Sequence, residues 1–540
     1  MWTSFSDRGD LALPLVATAS SLVVTSIILR FLWKRYQLSP IPHPTPSSFF
    51  LGNLLDTYGQ VATWHSTGTY PEPFIGWIKK YGNAVLLREM LNFTVLISDP
   101  KAIQYLYSTN ANNYHRSPIV ENLLADFTFG PGLLSTRGAV HDNYRKMLNP
   151  LFSASQIKSF VPIYEAQARH ACDTVFAKAA ASGEPINLYT VFSDLTLRVI
   201  GLAGFGFNVE DHPEAHAAYQ QAQLEATPSI LIGLVMVPGF LKFPLPSFLR
   251  RRKAQVTLRQ VVNDVIERKL AEPSVEGKQK DLLDLILPNA TTREAVIHTM
   301  TFLSAGHETS SSALSWIFAT ISSHPNVILR LRQEYSDVIE KHGSLTTWEA
   351  VSQLTYTMAV IQETMRLNVV VHALARRICI QDDLVPMEDR DPIFIPSGTS
   401  MLVSVSALNR HPKYWANADA FVPERFIEGT PEWDADLKLR GGKSHAYYYL
   451  PFSIGSTNCI GQRFALVEMQ VILALVVGQY DFKVTPSSNV RQRHNGVTMA
   501  PAKIEVTLER ATTPVNPTKL GESVPNASTE SIADRVAVTG

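Results

Sequence analysis

The chain of 540 residues is short of several things, and each shortage closes a door. It has three cysteines, Cys172, Cys379 and Cys459, far apart and without a C-x-x-C pair. That excludes a disulfide framework and a cysteine-rich zinc site, and it suits a reducing compartment. It has no net charge, with 48 Lys and Arg against 48 Asp and Glu. A protein that neutralises nucleic-acid phosphates needs a basic excess, so no nucleic-acid partner is expected. No internal repeat is visible, and no complete nucleotide-binding loop. GGKS lacks the upstream glycine where Leu437 stands, and GLAGFGF has its glycines in the wrong order for a dinucleotide turn. HETSS offers only one of the two histidines of a zinc-protease helix.

What is present is mostly apolar, 45% of the chain against 18% charged. Leu11 to Leu29 carries no charge and would span roughly 28 Å as a helix, close to a bilayer core. Arg30, Lys34 and Arg35 follow it, and no basic cluster precedes it. The expectation is a single-pass transmembrane anchor over 1–38, its helix at about 11–33, with everything after it in the cytosol. SPIPHPTPSS then alternates prolines at 40, 42, 44 and 46, a stiff strap. Residues 511–540 lack hydrophobic periodicity and are expected to be a disordered tail. Between them, 39–510 reads as one large domain.

Within that domain NAVLLRE and NFTVLIS read as paired strands, and Asp99-Pro100 as a helix start. Helical patterns dominate to about residue 370. SILIGLVMVPGFLKFPLP is half a membrane span broken by prolines, either a buried loop or a flap dipping into a bilayer surface. TTRE is a capping box opening a long helix, and short strands return in DPIFIPSG and SMLVSVSAL. The fold class expected is mainly α with a small β region (α+β).

PFSIGSTNCIGQRF places Cys459 in a glycine-marked turn at a helix entry. Free backbone N–H groups and the helix dipole favour a thiolate there. Gly455 and Gly461 would let a bulky flat group approach, and Phe452 offers an aromatic wall. The pattern suits a metal with one protein ligand and a planar partner, haem; a buried structural cysteine is the other reading.

Phe452, Gly455, Cys459 and Gly461, read as F-x-x-G-x-x-x-C-x-G, resemble the haem-binding signature of the cytochromes P450. AGHETS at 305–310 resembles that family's oxygen-activating helix, Glu363-Thr-Met-Arg366 its E-x-x-R helix, and Pro423-Glu-Arg425-Phe the segment with a second arginine. The resemblance implies the cytochrome P450 fold, one haem domain behind the anchor, of the microsomal fungal type. It implies haem b (iron protoporphyrin IX), with Cys459 as axial ligand of the iron. It implies Thr309 and Glu308 as catalytic residues that order water and supply protons, and Glu363, Arg366 and Arg425 as a buried structural lock. His141, Arg145 and Arg377 would hold the haem propionates, with Arg376 as the alternative register of the last. Pocket candidates are Phe302, Ala305, Val370, Val371, His372 and Ala373. Two departures stand out: Thr457 replaces the usual Arg or His two residues before the cysteine, and LNVVVHAL lacks the usual proline.

The function implied is a monooxygenase that inserts one oxygen atom from O2 into a small lipophilic substrate, in secondary metabolism. Electrons would come from a separate NADPH-cytochrome P450 reductase, with cytochrome b5 as an optional second donor. The place implied is the endoplasmic reticulum membrane, with the catalytic domain facing the cytosol. A haem-thiolate isomerase or dehydratase that needs no O2, and a non-catalytic haem or lipid carrier at the membrane, are the alternatives.

Overall fold

Leucine and β-branched residues fill the first hairpin, and the computed structural model of the chain forms it as expected. β1 (Ala84–Glu89) pairs antiparallel with β2 (Asn92–Ile97), Ala84 opposite Ile97. The structure describes residues 7–207, 213–222, 227–237, 239–271, 280–495 and 497–511. The expected tail therefore lies, from 512 on, outside the described residues. Three late or short strands complete this sheet: β3 (Tyr114–Arg116), β4 (Arg377–Cys379) and β5 (Ser400–Leu402). The order is β1-β2-β5-β4-β3, with β2 and β5 parallel and every other pair antiparallel. SVSAL is not strand: Ser404 caps a helical turn over Val405–Leu408.

Three smaller antiparallel sheets pair Asp383–Val385 with Ile393–Ile395, Asn489–His494 with Met499–Lys503, and Glu505–Arg510 with both Ile186–Asn187 and Tyr480–Val484. Most of the remaining body is helical. The helices that bear on the site are α2 (Gln60–Thr67), α3 (Gly138–Leu148), α4 (Ala154–Ala171), α5 (Leu188–Phe205), α6 (Pro228–Met236), α7 (Thr292–Ile321), α8 (Thr355–Leu367) and α9 (Gln462–Gln479). The capping box that starts α7 is closed both ways: Glu294 N–H donates to Thr291 Oγ1 (3.3 Å), and Thr291 N–H to Glu294 Oε2 (2.9 Å). α7 is buried at nearly every position from Ala295 to Ile321 and forms the spine of the core, with α5, α8 and α9 against it. α5 and α9 are apolar and long enough to cross a membrane, with mean hydropathy 1.3 and 1.2, but 67% of each is buried in the body. They are core helices: Phe192 of α5 lies 5.0 Å from Phe318 of α7, and Phe464 of α9 lies 5.1 Å from Tyr164 of α4.

The N-terminal helix, α1 (Asp7–Gln37), is longer than the expected 11–33. Leu22, Val23, Ile27, Ile28, Leu29 and Leu32 are exposed along it, yet its last turns dock on the body. Phe31 stacks on Phe93 of β2 at 5.1 Å, and Lys34 Nζ donates to the Ser397 carbonyl at 3.0 Å. The proline strap lies against the sheet and does not stand clear of it. Leu38 and Ile41 are buried, and Leu86 N–H donates to the Pro42 carbonyl (2.8 Å). The proline-broken apolar run becomes α6 and a 3₁₀ turn over Phe240–Lys242, with the Phe240 ring seated against Gly233. α6 packs beside Leu55–Gly59, close in sequence to the exposed Phe49 and Phe50.

Candidate active site

The chain reverses before α9 in a turn that its own backbone enforces. Ser453 and Gly455 take positive φ (61° and 75°), Gly455–Thr457 form a 3₁₀ turn, and Cys459 N–H donates to the Phe452 carbonyl (2.8 Å). Gly455 is demanded by protein: a Cβ there would stand 2.0 Å from the Tyr107 carbonyl oxygen. Gly461 is not, because a Cβ there would meet nothing closer than Phe152 at 3.9 Å. The two glycines therefore differ: backbone occupies the space beside Gly455, and the space beside Gly461 is open to within 3.9 Å of Phe152. Phe452 is half-buried and packs against the main core.

Cys459 is exposed, although it lies deep enough for burial to raise its pKa. The two facts agree if the thiol forms part of the wall of an internal cleft. Burial outweighs the Gly461 N–H and the Arg145 charge, which pull the other way, so the free chain does not favour the thiolate that the helix entry suggested. A coordinated metal reverses this, because it removes the thiol proton outright. Cys172 and Cys379 are closed off, and burial pushes them up to about 12 and about 11.

Basic side chains gather around this turn. Arg145 of α3 donates from Nη1 to the Asn458 carbonyl (2.7 Å) and from Nη2 to Asn458 Oδ1 (2.6 Å), gripping the residue before the cysteine. His141, one turn earlier, is buried and pairs through Nδ1 with Asp142 (3.1 Å), so it is no ordinary surface histidine. Arg377 donates from Nη2 to Thr457 Oγ1 (2.5 Å), lies over the Tyr107 ring (4.9 Å) and leaves Nε buried without a partner. Arg376 points elsewhere and donates from Nη2 to Glu89 Oε1 (2.8 Å). The residue that sequence reasoning missed is Arg116. It sits directly across from Arg377 in the β3–β4 pair, buried, its Nη1 on the Leu134 carbonyl (2.9 Å). Burial first, then the Arg377 charge, push Arg116 down to about 10. Nothing local in YHRSP marks it; only cross-strand pairing brings the two guanidiniums together. Among the described residues neither is bonded to a carboxylate, and Glu121, the acid acting on Arg116, is already the partner of Arg137 (3.7 Å).

α7 is joined to the turn through Phe152, which neighbours both Gly461 and Phe302. Along this otherwise buried helix Ala305, Gly306 and Thr309 keep accessible surface. Phe302, Ala305 and Thr309 are spaced three and four apart and so share one face. Phe302 stands edge-on to Phe152 (5.1 Å). Thr309 Oγ1 donates back to the Ala305 carbonyl (2.6 Å), one of the two roles open to it. Gly306 does not interrupt the helix. Its missing side chain lets Ile200 of α5 approach, since a Cβ would lie 3.3 Å from that residue. Glu308 turns to another side, buried, and accepts from the Thr498 hydroxyl; burial raises it to about 7. Behind this turn Glu468 of α9 is buried with neither carboxyl oxygen hydrogen-bonded. Burial raises it to about 8 while nearby Ser310 pulls the other way.

The lock closes completely. Arg366 donates to both oxygens of Glu363 (2.7 and 2.8 Å), and Arg425 Nε adds a third bond (3.0 Å). Arg366 spends its remaining N–H groups on the carbonyls of Asn409, Ala418 and Ala420. A second acid, which sequence reasoning also missed, balances Arg425: Asp436, at 2.7 Å.

The pocket candidates divide. Val370, Val371 and Phe302 belong to the main core beside α7, and the Val370 carbonyl accepts from Met499 N–H (2.7 Å). His372 and Ala373 instead face a separate cluster. The His372 ring meets Trp64 of α2 (5.5 Å), Phe74 (6.3 Å) and His494 (5.5 Å), and Ala373 bridges to Ser404.

Among the described residues, a thiol with no second metal ligand beside it, two buried guanidiniums bonded to no carboxylate, and the partly accessible face of α7 form a specific donor set. They fit a planar metal macrocycle with anionic tails. Among the described residues no group of three histidine, cysteine or acidic side chains could hold a metal by itself. A family model described as Cytochrome P450 matches residues 42–508. The chain is 27% identical to cytochrome P450 monooxygenase 205 of Postia placenta over 527 residues, covering 89% of this chain and 93% of that protein. It is 28% identical to ganoderic acid synthetase CYP5150L8 of Ganoderma lucidum (88% and 93% covered) and 27% identical to cytochrome P450 3A5 of Homo sapiens (86% and 90%).

Proposed function

Because the chain belongs to the cytochrome P450 family, whose monooxygenases bind haem b through a cysteine thiolate, we propose that it is a membrane-bound monooxygenase of lipophilic substrates with Cys459 as its haem ligand. The observation that carries this is an exposed thiol in the turn before α9, joined through Phe152 to the face of α7 on which Ala305 and Thr309 keep accessible surface. Haem bound there supplies the redox chemistry that activates O2. What the chain's own residues do is hold, orient and exclude. Arg116, Arg377 and His141 hold the carboxylate side of the group, and Arg145 braces the ligand turn through Asn458. Thr309 can exchange its bond to the Ala305 carbonyl for one to water or ligand, which orders water on the α7 face. Glu308, with a pKa of about 7, can give up and regain a proton at neutral pH; release from Thr498 would let it pass that proton toward Thr309.

The substrate is a small lipophilic molecule that arrives from the bilayer. Support comes from the bare apolar face of α1 and from exposed Phe49, Phe50, Phe243, Leu245 and Leu249 around the α6 region. This reading makes α1 a single-pass anchor in the endoplasmic reticulum, with the body facing the cytosol. A separate NADPH-cytochrome P450 reductase supplies electrons, and cytochrome b5 is a second donor.

The test is spectral and then chemical. The reduced, CO-treated protein should show the red-shifted Soret band of thiolate-ligated haem. Cys459→Ser should abolish it, while Cys172→Ser and Cys379→Ser keep it. Microsomes carrying the protein, reductase and NADPH should then oxygenate members of a lipophilic library. A histidine-type CO spectrum in the intact protein would overturn the ligand assignment.

A further inference from the structure

Thr457 stands two residues before the cysteine, where the resemblance leads one to expect a cation. The structure shows what the hydroxyl does in its place. Its oxygen accepts from Arg377 Nη2 at 2.5 Å, a short charge-assisted bond. The other contacts of Arg377 are loose: Nη1 reaches the Tyr114 carbonyl only at 3.4 Å, the Tyr107 ring lies beneath it, and Nε has no partner. The direction of this guanidinium therefore rests on Thr457. A hydroxyl that accepts one hydrogen bond still has a proton to give. Among the described residues no protein acceptor takes it.

We propose that Thr457 is a positioning residue: it fixes Arg377 and, with its own proton, completes a two-donor clasp on one haem carboxylate. The chain thus reaches with a neutral donor and a steered arginine what a second cation would do by charge. This keeps a third positive charge away from Arg116 and Arg377, which already oppose each other across β3 and β4. The inference rests on the reading of Cys459 as the haem ligand, so the intact protein's CO spectrum is taken first. Without thiolate-ligated haem both readings fall; with it, the variants bear on Thr457 alone.

The measurement is the rate at which full-length, haem-loaded protein surrenders haem to an excess of apomyoglobin. Thr457→Val, which keeps the shape and removes the hydroxyl, should lose haem about tenfold faster, the factor that one hydrogen bond to a charged group carries. Thr457→Ser should behave as the intact chain, and all three should keep the thiolate CO band. In an Arg377→Gln background Thr457→Val should add clearly less than it does alone, because the steering is already lost and only the hydroxyl's own donation remains to be removed. Haem loss unchanged in Thr457→Val, or effects of the two substitutions that multiply independently, would overturn the proposal. Should Thr457→Val fail to accumulate, Thr457→Ala carries the same expectations.

Discussion

The lock and the cradle are both clusters of buried arginine, and they treat charge in opposite ways. In the lock, Arg366 and Arg425 meet Glu363 and Asp436, and backbone carbonyls take the remaining N–H groups. In the cradle, Arg116 and Arg377 face each other across two strands, and among the described residues no carboxylate is bonded to either. An arginine cannot shed its proton to escape such a place. The lock is finished by the chain itself and serves the fold. On the proposed reading the cradle is finished by an anion from outside, which is how a cofactor-binding cluster would differ physically from a structural one.

The sharpest way to break this contrast is to open the lock. Glu363→Ala leaves two buried cations with a single acid between them, and should cost about 3–5 kcal/mol, enough to prevent folding. Full haem content and normal thermal stability in that variant would dissolve the distinction. Next come the two glycines of the ligand turn. Gly455→Ala drives a Cβ into the Tyr107 carbonyl at a positive φ and should yield little folded protein. Gly461→Ala meets no close protein atom, so it should fold and melt normally but take up haem poorly. Parallel titrations of haem uptake and thermal melts would separate them.

In the cradle, Arg116→Gln should fold normally, since it relieves a like-charge opposition. It should lose haem roughly 10- to 100-fold faster, as expected for one or two charge-assisted bonds. Equal damage to folding and to haem retention would make it a second lock. The smallest effect concerns the converse case, an unpaired acid. Glu468 and Glu308 escape isolation by keeping their protons, raised by burial to about 8 and about 7 from 4.5. The folded state then holds more protons than the unfolded chain between these values. Their contribution to stability is complete below pH 4.5 and is lost as pH rises through 7 and 8. Glu468→Gln should flatten the decline of melting temperature between pH 6 and 9, and a slope identical to that of the intact chain would count against a protonated Glu468.

These contrasts also explain what could be read beforehand. Cys459, Glu363, Arg366 and Thr309 lie in contiguous motifs whose spacing fixes which side chains share a face, so the chain announces them. Arg116 and Asp436 are placed by pairing across strands and loops distant in sequence, and no local pattern betrays them. The N-cap at Asp99 and the capping box at Thr291 were legible because capping is a three-residue affair. The opposite sides taken by Val370 and His372 were not, because without the proline the path of that segment depends on what packs against it. Gly455 was legible as necessary, but its reason, the Tyr107 backbone, was not.

The docking of α1 alters where the proposed anchor can be said to stop. Phe31, Lys34, Leu38 and Ile41 are fastened to β1, β2 and the loop at Ser397, so they belong to the catalytic body as much as to the helix that leads into it. A truncation made after Gln37 to obtain a soluble enzyme would strip the cover from Phe93 and leave an adhesive apolar scar on the sheet. A cut ahead of Phe31 spares that cover. On the proposed reading of α1 as an anchor, the same seam would couple the tilt of the helix in a bilayer to the heading of the body.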